Sequence, residues 1–337
     1  MRISICIPTY NRQTEIVDLL DSIVKQTGYK CELEIIISDN ASTDNTADVV
    51  ASYRDKIPLL VYERSAENLG ADRNFLKVIE LASGDYCWLM GSDDRLEPGG
   101  VAAVEQSFAA HPGLAGLSVN RAAYPYAMTE RIAERPVAGG KVPHDVVIEN
   151  ADYIFSVLGE YFGYLSGQIV RRSLWNEVVS ADDVTRYFNA YVHVYVIGRM
   201  IQRCPKWLYV SQRCVGWRAG NDSFLSEGEF KRMSIDVLGY AHISRGLFGP
   251  NSRTYHDVNR TVASVHVRYA VMGAKLNDAP FSFYRQAIPL LMRSYWQYPV
   301  FWMRTVPVLL APSRLMRIVR WGYRHTFKRL QARHTTK

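Results

Sequence analysis

The chain has 337 residues, 48% of them hydrophobic and 22% charged, which excludes a disordered chain and is enough to bury the core of one α/β domain plus an appendage. Its formal charge of +7 is unevenly placed: after Asp278 there are 11 Lys and Arg and no acid, which leaves 29 basic against 33 acidic residues before it. Cys6, Cys31, Cys87, Cys204 and Cys214 form no C-x-x-C pair, so buried thiols in a reducing compartment are expected in place of disulfides or zinc ligands.

The opening MRISICIPTYN has too short an apolar stretch for a signal peptide, and its alternating Ile3, Ile5 and Ile7 are those of a strand. No uninterrupted apolar run approaches the roughly 18 residues that span a bilayer, so a cytoplasmic chain without a transmembrane helix is expected. Residues 3–8, 33–38, 59–63, 85–90 and 114–120 read as strands, several of them apolar on both faces as parallel strands are. Between them, residues 14–25, 43–53, 71–82 and 99–110 carry apolar residues at helical spacing. This alternation predicts a doubly wound α/β sheet, whose ligands sit beyond the carboxyl ends of the strands. Residues 121–165, broken by Pro125, Pro136, Gly139, Gly140 and Pro143, read as a loop-rich region. Then follow a strand at 166–172, a helix at 187–204, a strand at 208–211, a polar loop at 217–223 and a helical stretch at 229–295.

Each early strand exits into a polar group: Pro8-Thr9-Tyr10-Asn11, then the loop from Ser38 to Asp44, then Glu67-Asn68-Leu69-Gly70, then Gly91-Ser92-Asp93-Asp94. Adjacent carboxylates delivered to one sheet edge repel each other unless a cation neutralises them, and Mg²⁺ or Mn²⁺ is the natural neutraliser.

The strings IPTYN, SDNASTDNT, ENLGADRNF and ASGDYCWLMGSDDRLEPG, in this order over residues 1–100, resemble the family 2 glycosyltransferases. The resemblance implies the GT-A nucleotide-diphospho-sugar transferase fold, Rossmann-like with a mostly parallel sheet, over residues 1–225, with a nucleotide-sugar half (1–120) and an acceptor half (121–225). It further implies that Pro8, Thr9, Tyr10 and Asn11 line the nucleotide pocket, that Asp39 accepts a hydrogen bond from the base, and that Asn68, Gly70 and Arg73 flank the nucleotide. Ser92, Asp93 and Asp94 stand where the family's metal-binding D-x-D lies, with Gly91 where an Asp is common; Asp93 is then the primary metal ligand, and Asp94 ligates through water or contacts the sugar. The family's general base belongs to an E-D-x-x-L-x-x-R helix, and the matching stretch Val192 to Arg199 puts His193 at the Asp position, with Asp182 and Asp183 in reserve. Residues 217–223 resemble a loop that closes over the donor, with Arg218 directed at phosphate. Within the family the chain is similar to bacterial O-antigen deoxysugar transferases such as abequosyltransferases. That implies a nucleotide-sugar donor, a lipid-linked glycan acceptor and inversion at the anomeric carbon.

Two other classes are open to a chain of this pattern. A sugar nucleotidyltransferase would carry a Gly-rich loop after the first strand, which PTYNRQTE lacks; an inactive scaffold would keep metal affinity without turnover. Beyond a helical region at 226–297, residues 298–337 form an apolar, aromatic and basic tail. From Arg314, helical projection puts Arg314, Arg317, Arg320, Arg324 and Lys328 on one face and Leu315, Met316, Ile318, Val319, Tyr323, Phe327 and Leu330 on the other. Such a helix fits an anionic membrane surface, with the chain peripheral on the inner face of the cytoplasmic membrane; nucleic acid would leave the wide apolar stripe exposed.

Overall fold

The computed structural model describes residues 1–132 and 137–318. Nine strands form one mixed sheet: β1 (Arg2–Thr9), β2 (Glu32–Asp39), β3 (Leu60–Arg64), β4 (Tyr86–Leu89), β5 (Arg95–Leu96), β6 (Gly116–Tyr124), β7 (Val146–Ile148), β8 (Gln168–Arg171) and β9 (Trp207–Arg218). Their order is β3-β2-β1-β4-β8-β6-β9-β5, with β7 paired to β9. β3, β2, β1 and β4 run parallel; β8 is antiparallel to both β4 and β6, so β6 and its parallel partner β9 point the same way as β4. The carboxyl ends of six strands therefore share one edge.

The helices are α1 (Glu15–Val24), α2 (Thr46–Ala51), α3 (Ala71–Glu80), α4 (Gly100–Ala110), α5 (Ala151–Leu158), α6 (Arg172–Ala181), α7 (Val192–Arg203), α8 (Glu229–Phe248), α9 (Arg253–Val262), α10 (Arg268–Leu276), α11 (Phe281–Tyr295) and α12 (Val306–Leu310). The core sits between the sheet and its helices. Ile3, Ile5, Ile7, Ile35 and Ile37 from β1 and β2 pack with Ile16, Leu19 and Leu20 of α1, all fully buried, and each such side chain contributes about 1.5–3 kcal/mol of hydrophobic stabilisation. All five cysteines are free thiols.

The first five strand and four helix expectations fall on β1, β2, β3, β4 and β6 and on α1 to α4. Several elements differ from expectation, with β5, β7 and α6 unannounced by the sequence pattern. β9 has 12 residues where four were read, because the pairing with β6 shifts register around Asn120 and the interrupting Gln212 and Arg213 lie exposed within it. The stretch read as loop contains α5, capped by the Asn150 carboxamide oxygen, which accepts from Tyr153 N at 2.8 Å. The long C-terminal helical stretch is four helices, with a π-helical turn at Ala263–Val267 between α9 and α10.

The chain forms two compact units, one of residues 1–222 with 242–254, the other of residues 223–241 with 255–337. In the second, the Thr305 hydroxyl of a second π-turn, Phe301–Thr305, donates to the Ala263 carbonyl of the first at 2.7 Å. No helix among the described residues is long and apolar enough to cross a membrane. Of the basic stripe, everything beyond Ile318 lies outside the described residues.

Candidate active site

At the exits of β1, β2 and β3 the polar groups are tied to one another. Asp39 is fully buried; its Oδ1 accepts from Ser42 N at 2.7 Å and its Oδ2 from the Tyr62 hydroxyl at 2.6 Å. Asn40 Nδ2 donates to Asn68 Oδ1 at 2.8 Å and to the Gly70 carbonyl, while its Oδ1 accepts from Leu69 N at 2.8 Å. Asn68 Oδ1 also accepts from Gly70 N, which fixes the turn where Gly70, at φ 82°, leads into α3. Asn11, itself left-handed at φ 51°, receives Thr43 N on its Oδ1 and donates its own N–H to Ser42 Oγ. Pro8 is buried beside Thr9, whose hydroxyl is buried without a hydrogen-bond partner; Tyr10 and Arg73 are exposed. A buried hydroxyl with free capacity beside Asp39, its register partner in β2, leaves hydrogen-bonding positions for a ligand at this edge.

Beyond β4 the two carboxylates are treated differently. Asp94 is 3% exposed and accepts from Arg218 N on Oδ1, at 3.0 Å, and from the Tyr164 and Ser166 hydroxyls on Oδ2, at 2.8 and 2.5 Å. Burial and then the charge of Asp93 push Asp94 up to about 7, against those three donors. Asp93 takes one donor on a side-chain oxygen, Asn221 Nδ2 at 2.9 Å, and Asn221 Oδ1 in turn accepts from Arg12 at 3.0 Å. Burial raises its pKa and the Arg12 guanidinium partly offsets the rise. Asp93 is thus the carboxylate with coordination capacity to spare, and Asp94 is a positioning residue that joins the β4 exit to the start of β8 and to the end of β9. Asp94, expected beside Asp93 as a metal ligand, is the more heavily hydrogen-bonded of the two. Ser92 is buried, and a Cβ on Gly91 would lie 3.1 Å from Asp93 Oδ1 and 3.2 Å from Ser166 Oγ, so a larger residue there would crowd this arrangement.

Among the described residues no three His, Cys, Asp or Glu side chains converge to cage a metal ion. A magnesium or manganese ion commonly takes one or two protein carboxylates and completes its shell with water and substrate phosphates, so Asp93 alone fits an ion that arrives with a diphosphate.

Two further expectations are corrected. Arg218 is 5% exposed, and its donors are taken by the Asp93 carbonyl at 2.7 Å, the Tyr126 carbonyl and Asp18 Oδ2 at 2.6 Å, so it braces the site in place of offering a free guanidinium to phosphate. The loop after β9 does reach the site, but through Asn221. His193 is 1% exposed, both ring nitrogens lack a partner, and Phe75 of α3 meets it edge-on at 5.4 Å. Burial pushes its pKa down to about 4, partly offset by the Gly163 and Phe162 backbone. So enclosed and so weakly basic, it does not meet the requirement that a proton acceptor reach the acceptor hydroxyl. The reserve carboxylates are placed otherwise: Asp182 is held by Arg199, Arg203 and Tyr195, and Asp183 is exposed and accepts from the Thr185 hydroxyl.

Two residues at this edge are given no role by the sequence motifs. Asp72, inside the ENLGADRNF string, accepts from Ala190 N at 2.7 Å and Val192 N at 2.9 Å; it caps α7 from another helix and holds Ala190 at φ 72°. Arg121 stands on β6 just past the register shift, its guanidinium over Tyr164 at 4.5 Å, Trp217 at 4.8 Å and Tyr161 at 5.6 Å. Among the described residues it meets rings and no carboxylate. The Tyr164–Asp94 hydrogen bond links this group to the carboxylate pair, and no sequence spacing announces it.

Residues 4–135 match the family model described as Glycosyl transferase family 2. The abequosyltransferase RfbV of Salmonella typhimurium is 32% identical over 268 residues, covering 74% of this chain and 77% of the relative. The poly(ribitol-phosphate) beta-N-acetylglucosaminyltransferase TarS of Staphylococcus aureus is 34% identical over 96 residues, 28% of this chain and 17% of that protein. Crystallised S. aureus TarS 1–349 with UDP-GlcNAc superposes with a TM-score of 0.59 at 17% identity, over 87% of this chain and 81% of that one. The mannosyltransferase PcManGT of Pyrobaculum calidifontis, with GDP-Man and Mn²⁺, gives 0.55 at 15% identity, over 91% and 85%. With its sheet order, its strand-exit motifs and a relative of this identity along most of its length, the chain belongs to the family 2 glycosyltransferases and has the GT-A fold.

Proposed function

We propose that this glycosyltransferase moves a sugar from a nucleotide-diphospho-sugar to a lipid-linked oligosaccharide in bacterial surface-polysaccharide assembly, working at the cytoplasmic face of the membrane with a divalent cation. The observation that carries the reading is the order of groups along one sheet edge. Thr9 and Asp39 stand at β1 and β2, Asp93 at β4, and Arg121 at β6. A nucleotide laid across β1 and β2 brings its diphosphate to β4, and the acceptor then enters from the β6 side.

A Mg²⁺ or Mn²⁺ held by Asp93 and the donor's phosphates would stabilise the departing nucleoside diphosphate. Asp94, through Tyr164, Ser166 and the Arg218 backbone, fixes where Asp93 points. Arg12, positioned through Asn221, adds positive charge beside the diphosphate. Arg121 presents the edge of its guanidinium to anionic or hydroxyl groups of the acceptor. The similarity to an abequosyltransferase along most of the chain supports a deoxyhexose as the sugar.

The test is a panel of nucleotide-sugars offered with Mn²⁺ and polyprenyl-diphosphate-linked glycans. Release of nucleoside diphosphate in step with a lengthened glycolipid is expected. Release of pyrophosphate would point to nucleotidyl transfer, and metal binding without any turnover would point to a scaffold.

A further inference from the structure

α11 has two unlike faces. Phe283, Ala287, Leu291 and Tyr295 recur every fourth residue and are buried. Beside them Phe281, Ile288, Met292 and Trp296 recur at intervals of seven, four and four residues and stand in the open, 80%, 45%, 37% and 65% exposed. The following π-turn and α12 continue the open side with Trp302, Met303 and Leu310, at 46%, 69% and 78%. Two contacts pin this segment to α11. The Trp302 indole N–H donates to the Trp296 carbonyl at 2.8 Å, and Lys275, which lies over the Tyr284 ring of α11, donates to the Ala311 carbonyl at 2.6 Å.

Arg285, Arg293 and Arg304 are exposed along this same stretch, and residues 279–318 contain five arginines and no acid. Large apolar side chains held in water mark a surface that something covers. A second copy laid on the same face would set arginine against arginine with no carboxylate to pair them. Nucleic acid would leave the tryptophan, methionine and leucine side chains unsatisfied. A bilayer of anionic lipid meets both needs, with indoles at the headgroup boundary and guanidinium groups on the phosphates. Pro289, Pro299 and Pro307 interrupt the segment, which suits a helix pair lying in the interface.

We propose that the face formed by α11, the second π-turn and α12 seats this protein on anionic phospholipid. The inference rests on the membrane-side reading given above and names its surface. Its assay uses neither donor nor acceptor, so vesicle binding and sugar transfer fail independently.

The full-length protein is sedimented with vesicles of phosphatidylcholine, with and without phosphatidylglycerol. Binding is expected only with phosphatidylglycerol, together with quenching of tryptophan emission by brominated phosphatidylglycerol. Changing Trp296, Trp302 and Met303 together to Glu should weaken binding by more than about ten-fold. Each of Arg285→Gln, Arg293→Gln and Arg304→Gln should weaken it roughly five-fold, an effect that salt erases. An unchanged thermal transition and nucleotide affinity certify that the variants fold, and the quenching by brominated lipid reads the same surface in the unaltered protein. A full-length variant with Arg320, Arg324, Lys328 and Arg329 changed to Gln should keep the quenching. The proposal is overturned by absence of binding to phosphatidylglycerol, by quenching that vanishes only in the four-residue tail variant, or by a lipid-free dimer that the triple Glu variant dissociates.

Discussion

On the β1–β3 side of the sheet edge most polar groups hold another, whereas on the β6–β9 side Arg121 is held by rings. Asp39, Asn40, Asn68, Asn11 and Ser42 form a web that keeps its shape before a nucleotide arrives, and a preorganised site does not spend binding energy on ordering loops. The other side shares the fold but carries none of the four family strings. What the difference teaches is that polar groups announced by local loop patterns bond to one another, whereas those set by tertiary packing on the strands do not, which under the proposed function divides donor from acceptor recognition.

The strongest break of this comparison is Asp93→Asn. It should lower kcat by roughly three orders of magnitude, because loss of the cation's hold on the diphosphate removes several kcal/mol of transition-state stabilisation. Near-normal turnover with protein that melts normally would detach the carboxylate from the chemistry. Next, Arg121→Gln should raise the acceptor KM about ten- to hundred-fold, the range for a lost charge-assisted hydrogen bond, and leave the donor KM unchanged. If the donor KM rises as well, Arg121 belongs to the diphosphate and the division into two sides fails.

Protons compete with the cation. With Asp94 pushed up to about 7 beside Asp93, the pair holds a proton below that pH and releases it above. A raised carboxylate pKa means that the folded, metal-free protein keeps a proton that the unfolded chain has lost. Its contribution to stability therefore falls as pH rises from the ordinary carboxylate range to about 7. Mn²⁺ affinity should run the opposite way, climbing by up to about ten-fold per pH unit below 7 and levelling above it. Calorimetry in buffers of different ionisation enthalpy would expose the released proton, and a flat profile would contradict the coupling.

The smallest effect is expected at His193. His193→Phe removes two buried nitrogens that make no well-formed hydrogen bond and keeps an aromatic ring against Phe75, so turnover should stay within about three-fold and the melting temperature should hold or rise. A collapse of kcat with donor affinity intact would instead make His193 the proton acceptor.

How far the sequence could be read follows from where each residue's partners lie. The exit loops that hold Asp39 and Asp93 were legible as loops because a buried strand followed by polar exit residues is a local pattern, and the chain repeats it strand after strand. The enclosure of Arg218 was illegible because its partners are remote: Asp18 lies 200 positions away, and the Tyr126 carbonyl leaves no trace in a string of letters. The bonding of Asp94 was illegible for the same reason, since its donors Tyr164 and Ser166 lie 70 and 72 positions away. α5 was hidden because the prolines and glycines that break the region all precede its Asn150 cap. β9 was hidden because two exposed polar residues at a register shift imitate the end of a strand.

Titration of manganese with a nucleoside diphosphate into the wild-type protein and into Asp93→Asn tests the central claim most directly. The wild-type protein should bind the nucleotide far more tightly with manganese than without, and the variant should bind it equally weakly in both conditions. Equal manganese enhancement in the two proteins would contradict the assignment of Asp93 as the carboxylate that carries the cation.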